Sequence, residues 1–106
     1  MTIDELAETV APLQIKAEGH CEWDRNIYCD GCGLRQQYWG IECYEMYEKG
    51  EFPDWIVDAV RLYEERGDDD TAAKMCYWFF GWRALDGKSY CMACHRALMQ
   101  EKGLIL

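Results

Sequence analysis

Apolar residues recur at helical spacing from the start of the chain, where Ile3, Leu6, Ala7 and Val10 share one side. Thr2 stands where an N-cap belongs and Glu5 three residues on, the two positions of a capping box, so a helix is predicted up to a break at Pro12. Residues 13–28 carry no sustained period. Short strands are read at Ile15–Ala17 and Asn26–Tyr28, with a turn at Glu18-Gly19. From Gln36 to Lys49 a helical stripe of Trp39, Cys43, Met46 and Tyr47 stands against Glu42, Glu45 and Glu48.

Pro53 and Asp54 open a second helix, with Asp54 as its expected N-cap, Ile56, Ala59, Val60 and Tyr63 facing inward, and Gly67 closing it. A third helix, capped by one of Asp68, Asp69 or Asp70, packs through Ala72, Met75, Cys76 and Phe79 and stops at Gly81. Beyond it the period shortens. Trp82–Leu85 and Lys88–Tyr90 flank Asp86-Gly87, a turn pair that tolerates positive φ, and this predicts a hairpin. A last helix runs from Met92 to Lys102 and ends at Gly103. The pattern predicts one small α+β domain over residues 1–106, mainly helical.

The chain has 106 residues and seven cysteines, and four of those form two C-x-x-C pairs: Cys29 with Cys32, and Cys91 with Cys94. Two such turns supply four sulfurs that converge on the tetrahedron zinc prefers, and Gly31 and Gly33 free the first turn so that backbone N–H groups face the thiolates. An odd cysteine count behind an N-terminus with no basic or long apolar stretch argues for a reducing, cytoplasmic setting and for thiolate ligands over disulfides. Cys43 and Cys76 lie on apolar helix faces and read as core residues. Cys91 to His95 also spells C-x-x-C-H, the attachment motif of c-type haem, but that reading leaves Cys29 and Cys32 without a role. Whether His20, Cys21 or His95 joins the metal set stays open.

The order of parts resembles the treble-clef zinc fingers. Cys29-Asp30-Gly31-Cys32-Gly33 is the knuckle, Trp82–Tyr90 the hairpin, and Cys91 and Cys94 open the following helix. The resemblance implies a closed structural zinc. It departs in spacing, because 58 residues separate Cys32 from Cys91, which makes residues 36–80 a helical insertion between the pairs.

Charge changes the picture of function. The formal net charge is -9, and from Glu42 to Asp70 eleven acids stand against Lys49, Arg61 and Arg66. Such a balance disfavours direct nucleic-acid binding, which draws on clustered Lys and Arg. It favours a protein partner with a basic surface, met by Glu45, Glu48, Asp54, Asp58, Glu64, Glu65, Asp68, Asp69 and Asp70. In composition the chain is similar to some phage-encoded inhibitors of host machinery and nucleic-acid mimics. No nucleophile–base pair, phosphate-cradling loop or open metal position is evident, so no enzymatic activity is expected. Two other readings stand beside this one: a nucleic-acid-binding finger using Arg25, Arg35, Lys74, Arg83, Lys88 and Arg96, and a thiol oxidoreductase using one C-x-x-C. No run of residues is apolar enough to span a membrane.

Overall fold

The computed structural model describes residues 1–17, 24–42 and 52–103. Along them lie α1 (Ile3–Val10), β1 (Ile15–Ala17), β2 (Arg25–Tyr28), β3 (Arg35–Tyr38), α2 (Asp54–Glu65), α3 (Asp69–Phe79), β4 (Arg83–Leu85), β5 (Lys88–Tyr90) and α4 (Met92–Glu101). Among the described residues this is an α+β fold of four helices and two small antiparallel sheets, ordered β1-β2-β3 and β4-β5.

The capping signals act as expected at α1 and α3. Thr2 accepts from Glu5 N–H, and the Glu5 side chain reciprocates to the Thr2 backbone. Asp68 is the aspartate that caps α3, accepting from both the backbone N–H and the hydroxyl of Thr71, a contact of about 1 kcal/mol. At α2 the cap is Pro53 rather than Asp54. The extended backbone of Pro53 (ψ 153°) lets its carbonyl take the first helical bonds, from Ile56 and Val57 N–H. Asp54 therefore falls in the first turn, where its charge suits the helix dipole.

The helix expected from Gln36 begins instead as strand β3. Its residues pair antiparallel with β2, Gln36 opposite Ile27 and Tyr38 opposite Arg25, so period-2 alternation turns Gln36 and Tyr38 inward together. The neighbouring strand supplied what the local pattern did not show. Ile41 and Glu42 then turn helical, and the remainder of that expected helix, with Cys43, Glu45 and Glu48, lies outside the described residues, as does the Glu18-Gly19 turn. Trp39, expected on the buried stripe, is 44% exposed.

One core joins these elements. α3 is its centre, with Ala72, Ala73, Met75, Cys76 and Tyr77 fully buried against Leu6 and Val10 of α1, Ile56, Ala59 and Val60 of α2, and Ile27 of β2. Each large aliphatic side chain so buried contributes about 1.5–3 kcal/mol. The Tyr77 hydroxyl lies 2.6 Å from the Arg25 carbonyl and 3.1 Å from that of Gln36, and Trp82 Nε1 donates to Gln36 Oε1 at 2.9 Å. These bonds clamp β2 and β3 to the end of α3 and the start of the hairpin. Gly81 ends α3 at φ +100°, and a Cβ there would meet Met92 Cβ at 2.7 Å, so α4 crosses directly over it. Asp86 and Gly87, both at positive φ, form the predicted hairpin turn.

Tyr38 and Glu64 join β3 to α2. Burial raises the Glu64 carboxyl above its ordinary value of 4.5, bonds from the Tyr38 hydroxyl and Ile41 N–H lower it, and Asp69 and Glu42 raise it again; the balance is upward. A raised folded value favours the protonated form. The group's contribution to stability is therefore complete below about pH 4.5 and is lost as pH rises through the folded value. Glu64→Gln should consequently gain thermal stability over the parent as pH rises from about 5 to about 8. Paired melting curves at each pH check this, and a difference independent of pH contradicts it.

Candidate metal centre

β2 delivers Cys29 to a tight turn. Cys29 N–H bonds the Leu34 carbonyl at 2.8 Å, and Gly33 N–H, at φ +79°, returns to the Cys29 carbonyl at 2.9 Å. Inside this loop the Gly31 and Cys32 N–H groups point at Cys29 Sγ, 3.3 and 3.5 Å away. β5 delivers the second pair: Cys91 is the N-cap of α4 and Cys94 lies in its first turn, with Cys91 N–H donating to Cys29 Sγ at 3.4 Å.

The four sulfurs of Cys29, Cys32, Cys91 and Cys94 all lie within 4.8 Å of one another. Cys32 Sγ and Cys91 Sγ are 3.8 Å apart. That is far too long for a disulfide and equals the edge, about 3.8 Å, of a tetrahedron with metal–sulfur bonds of about 2.3 Å. The donor set thus fits a tetrahedral thiophilic ion, and the inward N–H groups suit anionic sulfur. Cys29 and Cys91 are buried, Cys94 half-buried and Cys32 exposed, so the centre sits at the surface with one edge to solvent.

The thiols differ in acidity. Burial pushes Cys29 up, but the N–H groups of Cys91, Cys32 and Gly31 together with the Cys94 thiol outweigh it and bring Cys29 down to about 6. Cys94, sharing protons with Cys29, Cys32 and Cys91, is pushed up to about 12, and burial first of all raises Cys91. Cys29 ionises ahead of Cys91 and Cys94, whose protons a cation must displace.

Three residues that are not candidate ligands brace the centre. Asp30 N–H donates to the Ser89 carbonyl at 2.9 Å, Ser89 N–H donates to Asp30 Oδ2 at 2.8 Å, and Gln14 N–H donates to Ser89 Oγ at 2.9 Å. A lone Asp, Ser or Gln has no spacing signature; only the placement of an acid inside C-x-x-C hinted at Asp30. His95 is half-buried and stands outside the sulfur cluster, and His20 and Cys21 lie outside the described residues.

Among the described residues, the acids expected to meet a partner differ in exposure and in what they bond. Asp54, Asp58 and Glu65 are exposed on α2, and Asp69 is half-buried. Glu64 is half-buried, Asp68 caps α3, and Asp70 pairs with Arg25. A concavity of about 590 Å³ gathers Glu42, Glu64, Glu65 and Asp69 beside Trp39 and Arg61.

Compared with family models, with curated proteins and with solved structures, the chain matches none. No helix among the described residues is long and apolar enough to cross a membrane.

The close approach of the two pairs rests on Gly31, where a Cβ would lie 3.0 Å from Cys94 Sγ and 3.1 Å from Cys94 Cβ. Gly31→Ala should weaken metal binding by about tenfold or more, the scale on which ligand-supporting residues act. Competition with a chromophoric chelator measures it, and parent-like affinity contradicts the crowding.

Proposed function

We propose that the protein is a zinc-stapled interaction module. Cys29, Cys32, Cys91 and Cys94 hold one structural zinc in a treble-clef-like site, and the acidic surface of α2 and the β3 end receives a basic surface of a protein partner. The observation that carries the zinc reading is the convergence of four sulfurs at tetrahedral spacing, with N–H groups turned onto Cys29. The knuckle after β2, the hairpin β4-β5 and the placement of Cys91 and Cys94 at the start of α4 support the treble-clef reading. Four thiolates close the coordination sphere, so zinc here supplies cross-linking and no position for a reacting water.

Partner binding is assigned to α2 because Asp54, Asp58 and Glu65 run along its exposed side and lead to the concavity beside Trp39. An indole face next to carboxylates suits a lysine or arginine side chain through cation–π and charge attraction together. The nucleic-acid reading loses support from the same side chains it needs. Arg25 pairs with Asp70, Lys74 bonds the Ala11 carbonyl, and Arg83 lies over Trp78 with its Nη1 bonded to the Trp78 and Trp82 carbonyls. The zinc centre makes the field more negative still, taking the net charge to roughly -11.

The double charge reversal Asp58→Lys with Glu65→Lys, and separately Trp39→Ala, should each reduce capture of the partner at least about tenfold, the scale of one interface anchor. Quantitative pull-down with the parent protein as bait measures this. Undiminished capture by both variants would assign the acids to solvation alone.

A further inference from the structure

Asp30 is an exposed acid in a position crowded with negative charge. It stands between two cysteine ligands, where four thiolates and one divalent ion leave a net charge of about -2, and a neighbouring carboxylate adds to the repulsion. Its carboxylate is nevertheless committed to a single partner, receiving Ser89 N–H at 2.8 Å, while its own N–H donates to the Ser89 carbonyl at 2.9 Å. Ser89 lies opposite Ala84 in the hairpin and is 1% exposed. Both its backbone groups are turned to the knuckle, and Asp30 satisfies both.

This bridge joins Asp30, next to Cys29, to Ser89, two residues before Cys91. It sets the spacing of the two cysteine pairs across 59 positions of chain. The Ser89 hydroxyl extends it to Gln14, 75 positions away, at the entry to β1.

Resting on the reading of the four cysteines as ligands, we propose that Asp30 is a positioning residue of the metal centre: it latches the knuckle to β5 and, through Ser89, links metal binding to the segment after α1. The latch works by geometry, so it depends on an oxygen acceptor at position 30 and not on the negative charge. The metal in turn steadies Gln14, whose N–H donates to the Ser89 hydroxyl.

Full-length protein is titrated with zinc against a chromophoric chelator, with cobalt absorbance as a check on site geometry. Asp30→Ala should bind zinc about 10- to 100-fold more weakly, and Asp30→Asn, which keeps an oxygen acceptor, should stay within about threefold of the parent. Amide hydrogen exchange at Gln14 should quicken in Asp30→Ala and in Ser89→Ala, with metal bound. If charge were the only effect, both Asp30 variants would bind zinc more tightly. That outcome, or parent-like affinity in Asp30→Ala, overturns the proposal. Should Asp30→Ala fail to fold in excess zinc, Asp30→Asn decides by exchange at the Ser89 amide: protection at the parent level supports the latch, and parent-like affinity with that amide unprotected overturns it.

Discussion

Four sulfurs within 4.8 Å of one another impose the constraint on which this fold turns. Two unit charges about 4 Å apart repel by about 4 kcal/mol at an effective dielectric near 20, and four thiolates make several such pairs. Without a divalent ion Cys91 and Cys94 hold their protons, Cys91 raised first by burial and Cys94 by its bonds to the neighbouring thiols. With one, the same crowding becomes attraction to a common centre, and two chain positions far apart are pinned together. Everything between Cys32 and Cys91 is thereby closed into one loop.

Inside that loop α3 organises the packing. It touches α1, α2 and β2, and from its last turn the Tyr77 hydroxyl meets the sheet while the Tyr77 carbonyl accepts Trp82 N–H at the approach to the hairpin. The strand that carries Cys29 and the hairpin that carries Cys91 are thus braced by the same helix that supports α2. The metal centre and the acidic surface are different parts of one packed body. On this account the metal acts at a distance from any partner, by holding the elements that shape the surface.

The sequence shows the metal centre more clearly than the rest because C-x-x-C spacing encodes a geometry: two sulfurs on a turn have few other uses in such pairs. Capping at Thr2 and by one of the three aspartates before α3, and the Asp86-Gly87 turn, were legible for the same reason, each being a local bond or a backbone preference. What escaped was set by distant partners. Gln36 to Tyr38 read as helix but pair with β2 as a strand, and Asp30 meets Ser89 across the chain, whereas Asp54 loses its cap position to its own neighbour Pro53. The acidic stretch was visible as composition, but charge along a sequence does not say which carboxylates stay free. Asp68 and Asp70 are each taken up by a bond within the fold, and Glu64 is half-buried.

Native mass spectrometry of the purified chain, with elemental analysis and circular dichroism before and after a strong chelator, tests the central claim most directly. The account predicts one zinc per chain, released together with loss of the folded signal, because the binding free energy of a structural metal is folding free energy. A folded protein that carries no metal, or keeps its structure unchanged once the metal is stripped, would contradict it.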